Sequence, residues 1–152
     1  MTNVSVDLGD PMAQNAKALL QASHNLMQEL FPADANHFLS IEALCQPEIR
    51  FFLADANADT VGCAALVNCG TYGEVKSMFV ASAARGKGIA DKLLDRLLEE
   101  ARTQRLPWLK LETGVGLDAA HRLYERNGFT RCAAFGDYAA DAPYSIYMER
   151  EL

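Results

Sequence analysis

Between residues 72 and 113 the hydrophobic period changes twice, and that change fixes most of the architecture. Residues 72–80 read as a short strand that ends at Val80. From Ile89 onward Ile89, Leu93, Leu94, Leu97, Leu98 and Ala101 recur at helical spacing, while Asp91, Lys92, Asp95, Arg96, Glu99, Glu100 and Arg102 fill the opposite face. Pro107 breaks the helix, and residues 108–113 return to a strand-like run. A strand, a helix and a strand in this order make a crossover unit, which sets two strands parallel and side by side.

The flanking segments complete the pattern. Residues 50–54, 60–67 and 72–80 read as strands separated by short turns, which predicts an antiparallel meander. Gly62 lies inside the second run, where a missing side chain lets a neighbour pack closely. Residues 4–8 suit a short first strand. Asp10-Pro11 reads as a helix start, and Met12, Ala16, Leu19, Leu20, Met27 and Leu30 carry that helix to about Leu30. Phe31-Pro32 ends it, and a second short helix is expected over 40–45. A last helix over 117–126 stops at Asn127-Gly128, and strands over 129–134 and 144–149 close the chain. The expected fold is α/β: a mixed, mostly antiparallel central sheet with one parallel pair, flanked by about four helices. The 152 residues are read as a single domain, 1–152, without repeats or a linker.

Composition narrows the function. With 14 basic against 20 acidic residues the chain carries a net −6, which disfavours nucleic-acid binding, so any anion site must be local. No run is long and apolar enough for a membrane span, and Met1-Thr2-Asn3-Val4 does not open a secretory signal. The four cysteines, Cys45, Cys63, Cys69 and Cys132, show no metal-ligand spacing. No metal is expected, and the thiols fit a reducing cytoplasm.

One segment carries chemistry. Val80-Ala81-Ser82-Ala83-Ala84-Arg85-Gly86-Lys87-Gly88-Ile89-Ala90 leaves a strand and opens the amphipathic helix. A helix start offers free backbone N–H groups and the positive end of a dipole. Gly86 and Gly88 leave the backbone open to a phosphate, Ala90 is nearly as small, and Arg85 and Lys87 add positive charge. These are the physical parts of a pyrophosphate cradle. The Walker spacing is absent, and Asp91 stands where the dinucleotide fingerprint needs a third glycine. A plain solvated helix start remains the bland alternative. Further on, Leu123-Tyr124-Glu125-Arg126-Asn127-Gly128-Phe129 reads as a helix end with a glycine C-cap before a strand.

The order of these segments resembles the GNAT superfamily of acyl-CoA-dependent N-acetyltransferases, from about Arg50 to the C-terminus. Arg85-Gly86-Lys87-Gly88-Ile89-Ala90 is similar to the family's Arg/Gln-x-x-Gly-x-Gly/Ala signature, and Met78-Phe79-Val80 to the strand end that pairs with pantetheine. Phe31-Pro32-Ala33-Asp34-Ala35-Asn36-His37, Leu111-Glu112-Thr113-Gly114, Phe135-Gly136-Asp137-Tyr138 and Pro143-Tyr144-Ser145 look like a bacterial branch that carries an indole-acetic-acid label. Leu117 stands where the family often has a cofactor-contacting asparagine, and Ser77 where relatives often carry arginine.

The resemblance implies acetyl-CoA as co-substrate and direct transfer to the amine of a small molecule. It implies cofactor contacts from Met78, Phe79, Val80, Arg85, Gly86, Lys87, Gly88, Ile89, Ala90 and Tyr124. Tyr124 matches the tyrosine that protonates the leaving thiolate. Glu74, four residues before Met78, is the first candidate for the base that accepts the amine's proton, and Glu112 the second. Asn36, His37, Glu112 and Tyr138 are the expected acceptor-binding residues. A homodimer is an assembly the resemblance allows. A protein lysine or N-terminal acetyltransferase, and a non-catalytic acyl-CoA sensor, are the competing readings.

Overall fold

The computed structural model describes residues 3–152, so Met1 and Thr2, part of the segment read for a signal, lie outside it. In chain order the elements are β1 (Val4–Leu8), α1 (Gln14–Leu30), β2 (Ile49–Ala56), β3 (Asp59–Asn68), β4 (Gly73–Val80), α2 (Ile89–Thr103), β5 (Trp108–Gly114), α3 (Asp118–Arg126), β6 (Thr130–Arg131) and β7 (Ser145–Glu151). The strands form one sheet of 7 in the order β1-β2-β3-β4-β5-β7-β6. Every neighbouring pair is antiparallel except β4 and β5, the parallel pair joined by the α2 crossover.

The sheet is buried on both faces, by different helices. Ala64 and Leu66 of β3 and Val75 of β4 pack with Leu93, Leu94, Leu97 and Leu98 of α2. Cys63 and Ala65, pointing the other way, pack with Ala16, Leu19 and Leu20 of α1. Gly62 sits where a Cβ would come within 3.0 Å of Leu93 and 3.3 Å of Ile89, so its missing side chain lets α2 close on the sheet.

Three expectations are corrected. Asp10 does not cap α1; its carboxylate accepts from the Met12 N–H at 2.9 Å and closes a turn, and the helix begins only at Gln14. The helix expected over 40–45 is a single 3-10 turn, Ala43–Cys45, so three α-helices flank the sheet rather than about four. The strand expected over 129–134 shrinks to β6, because Phe135 turns inward among Tyr72, Tyr138 and Tyr147 and draws the chain off the sheet edge.

The parallel pair is the feature that positions a site. β4 and β5 are in register only at Gly73↔Leu109 and Glu74↔Lys110. Beyond Glu74 they part. Cys63 pairs with Phe79 and Ala65 with Lys76, so Ser77 and Met78 together stand opposite Ala64. This bulge holds Ser77 at a φ of 57°, a left-handed conformation in which side-chain-bearing residues are uncommon. The Cys63 thiol donates to the Ser77 carbonyl at 3.2 Å and helps to fix it. A bulge sharpens strand twist, and here it accompanies the turning of the second half of β4 away from β5. The result is a wedge whose β4 edge carries backbone donors and acceptors that no strand of the sheet pairs.

Candidate active site

Two recesses meet at the wedge. The larger, about 790 Å³, runs between the start of α2 and the face of α3. Met78, Phe79 and Val80 form its inner wall, and Arg85, Gly86, Gly88, Ile89 and Ala90 its floor. Gly86 and Gly88 have φ of 79° and 77°, and a Cβ built on either would meet nothing within 4 Å. The loop therefore turns its backbone toward open space, and Gly88 is the N-cap of α2 with no side chain occupying the helix end. This is the geometry that suits a pyrophosphate. The Arg85 Nε donates to the Val80 carbonyl at 3.1 Å, and its guanidinium stacks over Phe79, so the first cation of the loop is held in place. Lys87 is exposed and does not line the groove.

The opposite wall brings in residues that the sequence reading left out. Arg122 and Arg126 both line the groove, one helical turn apart on α3. Arg126 is engaged by Asp91, with its Nη2 2.7 Å from Oδ2 and its Nε 3.0 Å from Oδ1, which ties α3 to the first turn of α2. This pairing holds the Asp91 carboxyl below its ordinary range. Their spacing, four residues apart in the last helix, was the signal available in the sequence.

The smaller recess, about 170 Å³, lies under the segment after α1. It shares Met27, Met78, Phe79, Leu117 and Ala120 with the groove, so the two are continuous at the wedge. Asn36, His37, Lys76, Glu112 and Tyr124 line it, with Phe31, Phe38 and Tyr144 as aromatic walls. The Asn36 amide donates to the Pro32 carbonyl at 3.2 Å and so shapes the loop. The Phe31 ring lies against Gly114, in space that any side chain there would fill. His121 of α3 holds the same corner through an Nε2 contact of 2.9 Å with the Gly114 carbonyl. His24 of α1 is buried and stacks on Phe38 with ring centroids 4.1 Å apart.

The two carboxylates differ in setting. Glu112 reaches the pocket from β5, and burial pushes its carboxyl above the ordinary value while Ser145, His37 and Lys76 pull the other way. Glu74 does not line the pocket. Its Oε2 accepts from the Tyr138 hydroxyl at 2.5 Å and lies 3.4 Å from Lys76 Nζ. Lys76 in turn donates to the Tyr138 oxygen at 2.5 Å and to the His37 carbonyl at 2.9 Å. Glu74, the first candidate for the base, is thus not among the lining residues, and Tyr138, expected to bind the acceptor, is hydrogen-bonded to it and does not line the pocket either. Tyr124 is 6% exposed, and burial pushes its hydroxyl well above the ordinary tyrosine range, with Glu112 adding to the shift. A neutral hydroxyl beside the junction of two recesses can give a proton to a departing anion.

The comparisons with known proteins agree with this geometry. The sequence model of the acetyltransferase (GNAT) domain matches residues 47–131, more than half of the chain. The chain belongs to the GNAT acetyltransferases. It is similar to the IAA acetyltransferase of Azospirillum brasilense, at 39% identity over 154 residues and 100% of both chains. It is 33% identical to an uncharacterized N-acetyltransferase of Bacillus subtilis, covering 97% of this chain and 99% of that one. Among solved structures, a GNAT acetyltransferase of Elizabethkingia anophelis with acetyl-CoA bound superposes with a TM-score of 0.70 at 18% identity, covering 99% of each chain. Acetyl-CoA is the co-substrate of the GNAT family, and the groove between α2 and α3 has the size, open glycine backbone and cations that fit it. Among the described residues, no helix is long and apolar enough to cross a membrane.

Proposed function

We propose that this GNAT acetyltransferase moves the acetyl group of acetyl-CoA directly to the amine of a small molecule, with both substrates bound together. The observation that carries the proposal is the continuity of groove and pocket at Met78 and Phe79, which lets two ligands meet without leaving their own recesses. No cysteine lines either recess, and the Ser77 hydroxyl has no hydrogen-bond partner to activate it, which disfavours an acyl-enzyme.

Acetyl-CoA supplies the activated acetyl thioester. The Arg85–Ala90 loop holds the pyrophosphate, and the unpaired backbone of β4 at Met78–Val80 holds the pantetheine arm and offers an N–H to the thioester oxygen. Glu112 receives the proton that the amine gives up as its new N–C bond forms. Tyr124 gives its proton to the sulfur as the C–S bond breaks. Glu74, the first candidate for the base, is instead assigned to positioning. Through Tyr138 and Lys76 it steadies the wall that carries His37.

Thiol release from acetyl-CoA tests this against a panel of small amines, with both substrates varied. Intersecting double-reciprocal lines are the expected result. Parallel lines would replace direct transfer with an acyl-enzyme. Turnover with lysine peptides and none with small amines would move the reading to a protein acceptor.

A further inference from the structure

The pocket's charges are unequally committed, and that inequality selects among amines. Besides the tyrosines Tyr124 and Tyr144, three charged or titratable groups line it: Lys76, His37 and Glu112. An ammonium has three donor hydrogens. Two of those of Lys76 go to the His37 carbonyl and the Tyr138 oxygen, at 2.9 and 2.5 Å, and its charge is paired with Glu74 at 3.4 Å. Lys76 is therefore committed within the protein and poorly placed to meet a ligand carboxylate. Among the described residues Glu112 has no cation within ion-pairing distance, and its ionised form, with about four acceptor positions of which Ser145 engages one, keeps room for a ligand. The pocket is thus matched to a positive ligand group and mismatched to a negative one.

The walls set the rest of the ligand. Phe31 and Tyr144 meet edge to face at 6.2 Å, and Phe38 and Met27 complete an apolar lining. A volume of about 170 Å³ is the scale of one ring, since an apolar cavity of about 150 Å³ takes up benzene. Tyr144 and Phe38 are 43% and 37% exposed, and Leu30 and Val115, next in chain to pocket residues, are each 49% exposed, so the apolar surface continues outward.

We infer that the acceptor is an arylalkylamine: a primary ammonium on a short chain bearing one aromatic ring system, with no carboxylate beside the nitrogen. The inference rests on the acetyl-transfer reading and narrows its substrate class. It also separates two properties of IAA, the aromatic acid for which the Azospirillum brasilense relative is named. The ring suits these walls. The acid would face Glu112, and the indole nitrogen keeps its lone pair in the ring and is a poor acyl acceptor.

The test holds the ring constant and changes the charge: tryptamine, tryptophan and indole-3-acetate, with spermidine as a ringless amine. Tryptamine is expected to exceed tryptophan and spermidine in kcat/KM by about 100-fold, within the range for setting a buried charge against no partner, and indole-3-acetate is expected to release no thiol. Tryptophan or spermidine turned over as well as tryptamine would overturn the substrate class while leaving acetyl transfer standing. No turnover with any amine, although acetyl-CoA binds, would overturn both. Calorimetry on the protein saturated with CoA supplies an independent readout. In Glu112→Gln, tryptamine should bind at least about tenfold more weakly and indole-3-acetate more tightly, opposite changes that a merely structural role would not produce. Tyr144→Ala, at an exposed rim position, should lower the preference for tryptamine over ethylamine without altering acetyl-CoA binding. An unchanged preference would remove the ring from the inference.

Discussion

At Gly88 the backbone conformation and the ligand compete for one methyl group's worth of space. Its φ of 77° is one that a side-chain-bearing residue adopts at a cost of about 1–2 kcal/mol, yet a Cβ there would touch nothing in the protein. Gly88→Ala should therefore lower the melting temperature by only a few degrees, at about 2–4 °C per kcal/mol, while raising the acetyl-CoA dissociation constant more than about tenfold. A variant that melts lower but binds normally would show that the loop does not cradle phosphate. Tyr124 acts on the other side of the junction. Tyr124→Phe keeps the packing against Phe129 and removes the proton. Its kcat should fall by about 10²-fold or more, as for a lost general acid, with KM for acetyl-CoA nearly unchanged. Glu112 sets the pH profile. Burial raises its carboxyl, so the ionised form needed to take a proton is present above that raised value and lost as pH falls through it. The acid limb of kcat/KM should lie above the ordinary carboxylate range and should be absent in Glu112→Gln. Stability has the opposite sign. Between the ordinary and the raised value the folded chain binds the extra proton, so this residue's contribution declines as pH rises. Glu112→Gln should consequently melt higher than the parent at neutral pH.

The elements differ in how far the sequence discloses them. β2, β3, β4 and α2 were legible because periodicity is a local signal and burial reinforces it: the α2 positions read as one apolar face, Leu93, Leu94, Leu97 and Leu98, are the ones that meet the sheet. The glycine loop at the start of α2 was legible for the same reason, since two glycines and a helix start are adjacent in the chain. The polar half of the site was not. Glu74 and Tyr138 are 64 residues apart, and Lys76 and Tyr138 62. Only the fold brings the 132–144 loop over β4 and β5, so the sequence shows Lys76 beside Glu74 but not Tyr138, the partner that donates to its carboxylate. The burial of His24 was hidden for a related reason. A histidine among polar neighbours on α1 looks solvated until Phe38, from the following loop, closes on it. The Glu74–Tyr138–Lys76 cluster therefore makes an element-scale prediction. Tyr138→Phe removes one oxygen that both satisfies Lys76 and donates to Glu74, leaving buried polar groups short of partners. The change should destabilise the protein by about 1–3 kcal/mol. If the cluster positions the pocket wall and does no chemistry, KM for the amine should rise while kcat and KM for acetyl-CoA hold. A fall in kcat alone would place Tyr138 among the reacting groups instead.

At the scale of the whole molecule, a chain of net charge −6 must bind a polyanion. The site proposed for it is a groove that concentrates cations. Arg85, Arg122 and Arg126 line it, while Asp91 neutralises only Arg126. Long-range attraction is unavailable to such a chain, so affinity must come from short-range contacts: backbone N–H groups at the α2 start, the open edge of β4, and the uncommitted guanidinium of Arg122. Two consequences follow from this division. Acetyl-CoA at about 100 times its dissociation constant should stabilise the fold by about 2.7 kcal/mol, a melting shift of about 5–10 °C for a domain of this size, whereas ATP and NAD, which have no pantetheine arm to offer the open β4 edge, should shift it far less. Added salt should act on the two parts unequally. Raising ionic strength screens the exposed Arg122 and hardly affects backbone contacts in the wedge. The dissociation constant of acetyl-CoA should therefore rise only modestly with salt, and Arg122→Ala should abolish most of that rise. A steep salt dependence that survives Arg122→Ala would mean that the phosphate charge is met elsewhere on the surface, and the groove between α2 and α3 would hold the pantetheine without its nucleotide.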